Sequence, residues 1–128
     1  MSQNRTFCGN KSTVNEHILR HITQSTVINL SNEISYQPGQ IVSKTLVQNE
    51  AVGLTLFAFD QGEQISTHEA SGDALVTILD GVGRITLDST PHEMQTGESI
   101  IIPARTPHAV FGVEQFKMAL LVVYPATQ

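Results

Sequence analysis

From Val27 onward, short apolar segments alternate with turn residues along the chain. The segments are rich in β-branched side chains, and no helical pattern separates them. Pairs such as Pro38-Gly39 and Asp80-Gly81 lie between them, and an Asp-Gly pair is typical of a tight β-hairpin. We expect strands at residues 41–47, 52–59, 74–79, 84–87, 98–102 and 117–124. Short strands at this spacing predict an all-β sandwich or barrel.

The segment at residues 74–79 is apolar on both faces of its predicted strand. A strand with one face in solvent would alternate apolar and polar residues. One face must therefore fill a barrel, and the other must pack against more protein. We expect this second contact to be a homodimer interface, to which residues 13–36 contribute.

An N-terminal extension precedes the β-structure. Residues 13–23 predict a short helix, because three apolar side chains recur every four residues and would form one stripe. These are Val14, Ile18 and Ile22. The sequence thus divides into an extension with a short helix, residues 1–26, and a β-barrel domain, residues 27–128.

Charge and composition argue against several classes of function. The net charge is −5 and only seven of the 128 residues are aromatic, whereas nucleic-acid binding needs a basic face. The seven Lys and Arg residues are dispersed, and no stretch approaches the length of a membrane span. Cys8 is the one cysteine, and the N-terminus has no apolar signal segment. We expect a cytoplasmic protein with neither nucleic-acid nor membrane partners.

Two glycine-led segments each lead to one histidine. The first reads Gly62-x5-His68, and the second begins at Gly97 and ends at His108. Together they resemble the two sequence motifs of the cupin superfamily, and the resemblance covers about residues 34–125. It implies a double-stranded β-helix, or jelly-roll barrel, of the small single-domain bacterial kind.

The chain departs from the cupin pattern at several motif positions. In the first motif of the family a second histidine and a glutamate usually stand where this chain has Ala70 and Ala74. In the second motif, Arg105 stands in place of a glycine. The resemblance therefore identifies His68 and His108 as the candidate metal ligands, within a degenerate ligand set.

A divalent transition metal is the cofactor that this pair could hold. Imidazole nitrogens suit such ions, but catalytic zinc sites normally have three protein ligands. A metal bound by His68 and His108 alone would be weakly held and partly water-coordinated. Asp73 precedes the missing glutamate, and it could join the site only if a bulge turned its side chain inward.

Two functional hypotheses stay open, beside a scaffold that only dimerises. In the first, the barrel binds a small molecule in its central pocket, with His68 and His108 as polar anchors, and Ala70 and Ala74 widen that pocket. In the second, the chain is a metal-dependent oxygenase or isomerase with an incomplete protein ligand set. The expected pocket walls are Phe57, Phe59, Val76, Ile78 and Val110, or their neighbours on the alternate face.

Other side chains with chemical potential are interpreted as ordinary surface residues. His17 and His21 have the spacing of a chelating pair on a helix, but no third ligand lies near them in sequence. His92 is expected in solvent, and Cys8 is interpreted as a spare thiol. Arg105 lies beside the expected barrel mouth, where it could meet an anionic ligand, although an exposed loop arginine is the simpler interpretation.

Overall fold

The structure, a computed structural model, describes residues 17–126. It is built from seven strands, preceded by one 3₁₀ turn at Leu30–Asn32. The strands are β1 (Ile41–Gln48), β2 (Val52–Phe59), β3 (Gln64–His68), β4 (Asp73–Leu87), β5 (Thr90–Gln95), β6 (Ser99–Ile102) and β7 (His108–Val123). Within this part of the chain, no helix is long and apolar enough to cross a membrane.

The strands form an antiparallel jelly-roll barrel around the long strands β4 and β7. The strand order is β1-β2-β7-β4-β5, with β3 on β7 and β6 on β4. β4 and β7 pair along almost their whole length. The first half of β4 pairs with β6 and its second half with β5, while β7 pairs first with β3 and then with β2. The all-β jelly-roll class expected from the sequence is confirmed.

A packed apolar core fills the barrel. Phe59 and Phe116 stack with their ring centroids 4.6 Å apart, and both side chains are completely buried. Alternate residues of β4 point into the same core, as the two-residue period of a strand requires. The buried members are Phe59, Ala74, Val76, Ile78, Ile85, Met94, Ile102, Val110, Phe116 and Met118. Protein interiors of this kind leave few voids, so the barrel interior is not an open chamber.

A second apolar cluster lies on the outer face of the sheet, where the irregular segment at residues 17–40 crosses it. Its buried members are Ile34, Leu46, Leu56 and Ala58. Arg20 N–H donates to the carbonyl of Leu46 at 2.7 Å, and Ile22 packs against the cluster. Residues 17–40 thus supply the second layer that a two-sided sheet needs.

Polar contacts fasten the same segment to β4 and β7. The Lys117 ammonium donates to the carbonyl of Ser31 and lies 4.9 Å from the ring centroid of Tyr36. The hydroxyl of Tyr36 donates to the Asp80 carboxylate. Burial, followed by the contact with Asp80, raises the pKa of Tyr36, so the hydroxyl keeps its proton and this hydrogen bond.

The predicted N-terminal helix is not present in the described residues. Residues 17–23 form bends, and residues 13–16 lie outside the described part of the chain. Ile18 is 78% exposed whereas Ile22 packs against the second cluster, so the two residues do not share one buried stripe. A helix this short is marginal in water, and here the Arg20 N–H pairs with β1 instead of with a helical carbonyl.

The hairpin expected at Asp80-Gly81 is also wrong, because both residues lie inside β4. The register with β7 shifts on either side of them, and Gly81 has a positive φ of 77°. The pair therefore forms a bulge that bends the strand. The actual turn is Asp88-Ser89, where both φ values are positive, at 52° and 98°, as a two-residue hairpin requires.

The other predicted strands are present, although several are longer than expected. The strands at 41–47, 52–59 and 98–102 agree with β1, β2 and β6 to within one residue at either end. The segments 74–79 and 84–87 are two parts of β4, and 117–124 is the second half of β7. β3 and β5 were not predicted, since their sequences, QISTH and TPHEMQ, are largely polar.

Candidate functional site

His68 and His108 form a cross-strand pair at one end of the barrel. His68 ends β3, His108 begins β7, and the two residues stand directly opposite each other in the ladder. Their ring centroids are 4.1 Å apart and the ring planes are inclined by 58°. Residues that face each other in an antiparallel pair share one side of the sheet, and His108 shares its side with the core residue Val110.

Each imidazole is oriented by the backbone of its own strand. Nδ1 of His68 lies 3.0 Å from the carbonyl oxygen of Ser66, and Nδ1 of His108 lies 2.9 Å from that of Thr106. A carbonyl oxygen can only accept, so the neutral ring carries its proton on Nδ1 in both cases. The lone pair of each ring is then on Nε2, which can accept a proton donor or bind a metal.

The two rings differ in exposure, which places the pair at the mouth of the barrel. His108 is only 6% exposed and is the one charged or polar residue in the buried set of the described chain. His68 is exposed to solvent while its ring contacts that of His108. Solvent therefore reaches the pair from the side of the exposed His68 ring.

The central pocket expected from the sequence is filled with side chains. Phe59, Val76, Ile78 and Val110 belong to the core, and Phe57 packs against it. Ala74 is likewise 3% exposed and lies within this core rather than beside an open space. The candidate site is therefore the histidine pair at the mouth, with the packed interior as its floor.

Asp73 does not lie with the histidines. Its side chain is exposed, and Oδ1 accepts the N–H of Ala104 at 2.8 Å. Within residues 17–126, no group of three or more His, Cys, Asp or Glu side chains could hold a metal ion. The donor chemistry of two imidazoles with free Nε2 lone pairs fits a transition metal, but the pair supplies fewer protein ligands than the three of a catalytic zinc site.

The rim beside the pair is a loop held by backbone hydrogen bonds. Arg105 N–H donates to the carbonyl of Ala70 at 2.8 Å, and Thr106 N–H donates to the carbonyl of Pro103 at 3.1 Å. Arg105 has a φ of 64°, which is the left-handed region that L-residues other than glycine rarely adopt. The one sequence signal for this conformation is that the cupin motif usually has glycine where this chain has Arg105, because glycine adopts a left-handed backbone without strain.

The remaining candidate residues lie elsewhere. His17 and His21 line a separate cleft of about 510 Å³ between residues 17–21 and β1, and they are not on a helix. His92 is half-buried on β5, opposite Ile85. Cys8 lies outside the described residues.

Sequence and structure comparisons agree on one family. The family model of the cupin domain matches residues 55–124. A conserved protein of unknown function from Streptococcus pyogenes is 38% identical, with a TM-score of 0.85, over 88% of this chain and 98% of that one. A cupin superfamily protein from Desulfitobacterium hafniense is 31% identical, with a TM-score of 0.80, over 84% and 98% of the two chains.

More distant structures share the fold alone. Salicylate 1,2-dioxygenase from Pseudaminobacter salicylatoxidans is 13% identical, with a TM-score of 0.60, and the match covers 73% of this chain and 30% of that one. No curated protein matches the chain. The domain match spans more than half of the chain and two solved relatives exceed 30% identity over most of it, so this chain belongs to the cupin superfamily.

Proposed function

We propose that this cupin binds a small molecule at the mouth of its barrel, through the Nε2 nitrogens of His68 and His108. The observation that carries the proposal is the pairing itself. Two imidazoles lie in contact, and each has its Nδ1 occupied by a backbone carbonyl. Such a pair presents two acceptor nitrogens in a fixed orientation, and fixed polar groups beside apolar surface are typical of ligand sites.

The surroundings favour a ligand that donates hydrogen bonds. Nε2 of a neutral ring with Nδ1–H is an acceptor, so its partners are O–H or N–H groups or a metal ion. The apolar core lies directly beneath His108, which is almost fully buried, so part of the ligand would lie against low-dielectric surface where a hydrogen bond is stronger.

A metal at this site would be held by the histidine pair, with water in its remaining positions. It would act as a Lewis acid toward an oxygen atom of the ligand. Two protein ligands do not impose a coordination geometry that would select one metal. The affinity of the site should therefore follow the general order of divalent transition metals, in which Cu²⁺ binds most tightly. The proposal therefore centres on ligand binding, and a metal-dependent reaction would require ligands that Asp73 does not supply.

Residue-resolved NMR titrations test the proposal. The probes are Zn²⁺ alone and, separately, a fragment set of small alcohols and phenols. We expect both to shift the ring signals of His68 and His108, and we expect EDTA to reverse the effect of Zn²⁺. The His68→Ala variant should lose most of the response, since His68 is exposed and its removal leaves the core intact.

The matched control is His21→Ala, which removes an exposed histidine of the separate cleft beside β1. This variant should respond like the wild type. If neither Zn²⁺ nor any fragment moves the signals of the pair, or if His68→Ala responds unchanged, the proposal is wrong.

A further inference from the structure

We propose that Arg105 is a specificity-determining residue of this site and that it selects ligands with a carboxylate group. The inference rests on the proposed function and names the chemical class of its ligand. The carboxylate would pair with the Arg105 guanidinium, while a donor group of the same molecule binds the histidine pair. The ligand class is thus a small organic acid that also carries a hydroxyl group.

The position of Arg105 is the first argument. Its N–H donates to the carbonyl of Ala70 at 2.8 Å, and Ala70 is two residues beyond His68. Arg105 itself is three residues before His108, which is paired with His68. The backbone of Arg105 is therefore fixed at the rim next to both histidines, and its long side chain begins within reach of anything bound there.

The conformation of Arg105 is the second argument. A φ of 64° is unfavourable for a residue with a Cβ atom, and glycine would adopt it without strain. Such strain persists only where neighbouring contacts determine the backbone. Here the Arg105 N–H bond to Ala70 and the Thr106 N–H bond to Pro103 hold the loop on both sides of the strained N–Cα bond. The chain therefore has an arginine side chain at a position where the backbone conformation favours glycine.

The charge environment is the third argument. Within residues 17–126, the one ion pair joins Lys44 to Glu33, so Arg105 has no carboxylate partner there. Asp73, the acidic residue fastened to this loop, accepts a backbone N–H instead. An arginine fork is well matched to a carboxylate, which it can bind through two parallel hydrogen bonds.

The test compares acids with their neutral amides at the wild-type site. Glycolate and glycolamide form one pair of probes, and 3-hydroxybenzoate and 3-hydroxybenzamide form the second. NMR shifts of the His68 and His108 rings report binding. We expect at least one acid to bind about tenfold more tightly than its amide, a difference that corresponds to about 1.4 kcal/mol.

The variants Arg105→Gln and Arg105→Gly should remove the preference for the acid, while Arg105→Lys should retain part of it. All three variants should still bind the neutral amide, because its hydroxyl group binds the histidine pair. Arg84→Gln is the matched control, because Arg84 lies over the Phe111 ring at 5.0 Å on β4 rather than on the rim.

Two negative results have different meanings. If acid and amide bind equally, if neither acid binds, or if Arg105→Gln keeps the preference, the assignment of Arg105 is overturned even where the histidine pair still binds Zn²⁺ or phenols. If no probe of any kind reaches the pair, the proposed function itself fails.

Discussion

Arg105 provides a stability prediction at the scale of one residue. The left-handed conformation costs an L-residue about 1–2 kcal/mol, whereas glycine costs roughly 0.4–1 kcal/mol through the entropy of the unfolded chain. Arg105→Gly should therefore raise the free energy of unfolding by roughly 0.5–1 kcal/mol, measured by urea denaturation. A variant that gains stability while losing the preference for acids would separate the ligand role of Arg105 from any structural role. A clear loss of stability would show that its side chain supports the fold.

Asp60 gives a pH dependence that can be assigned to one carboxyl group. Hydrogen bonds from Gly39 N–H, the Gln115 side chain and Gln61 N–H lower the pKa of Asp60 from its ordinary value of 3.8. A folded-state pKa below the unfolded one means that the stabilisation is complete above the ordinary pKa. It is lost as the pH falls through the folded-state value.

Asp60→Asn should consequently lower the free energy of unfolding near pH 7, and the difference from the wild type should shrink as the pH falls below about 4. Chemical denaturation across this pH range measures the effect. The control is Thr90→Asn, which changes an exposed side chain that does not titrate, so its effect on stability should not vary with pH over this range. If the stability difference between the wild type and Asp60→Asn stayed constant below pH 4, the stabilisation would not come from the lowered pKa of Asp60.

At the scale of the elements, the bulge in β4 depends on Gly81. A Cβ atom there would lie 1.9 Å from the carbonyl oxygen of Gln115 and 2.9 Å from Cα of Phe116, and φ is positive as well. Gly81→Ala should cost about 3 kcal/mol or more, since steric overlap with backbone adds to the conformational strain. Thermal and urea denaturation would measure it.

Gly62→Ala is the matched control for this variant. Gly62 has a φ of 85°, but a Cβ atom would meet nothing within 4 Å. It should therefore cost about 1–2 kcal/mol from backbone strain alone. Equal losses for the two variants would mean that the contact with Gln115 does not determine the bulge.

The same elements show what the sequence could and could not predict. The apolar segment at residues 52–59 has a strong β-pattern and coincides with β2, whereas the segment at 74–79 predicted only the first part of β4. Asp80-Gly81 resembles a hairpin turn locally, but pairing with β7 continues past it, and this is decided by contacts distant in sequence. The helix at 13–23 failed for the same reason, because the described part of that segment pairs with and packs on β1 and its neighbours.

The candidate site was predicted in part. The spacing of the two motifs correctly brought His68 and His108 together. The open central pocket was not present, because Phe59, Phe116 and Met118 fill the barrel. Side-chain volumes in three dimensions decide such a question, and the alanines at positions 70 and 74 gave the opposite expectation. The left-handed backbone conformation of Arg105 could not be predicted from the sequence pattern either.

At the scale of the whole molecule, we propose a homodimer formed through the outer face of the barrel. Apolar side chains cross four strands in register there: Ile101, Leu75, Leu121 and Leu54. Ile101 is 56% exposed, and the neighbouring Val123 is 54% exposed. An apolar surface in which half-buried leucines adjoin these two exposed side chains is typical of an interaction site, and a row that spans the sheet can pair with its copy about a two-fold axis.

Ile101→Lys should convert the dimer to a monomer, because it places a charge on the most exposed side chain of that row, at its β6 end. Light scattering should give about 28 kDa for the wild type, twice the chain mass of 14.0 kDa, and about half that for the variant. Thr90→Lys, at the exposed first residue of β5, should stay dimeric. A wild-type protein that is monomeric at micromolar concentration would refute the proposal.

We propose that His68 and His108 form one site in which the lone pair of each imidazole ring is on Nε2. Long-range ¹H–¹⁵N NMR of the imidazole rings tests it directly, because protonated and lone-pair nitrogens have very different ¹⁵N shifts. In the ligand-free protein with both imidazole rings uncharged, we expect a proton on Nδ1 and a lone pair on Nε2 in each ring. We also expect nuclear Overhauser contacts between the two rings. Zn²⁺ should then shift the two Nε2 signals together. If Nε2 of either ring carried the proton, or if the two rings made no contact, His68 and His108 would not form the site proposed here.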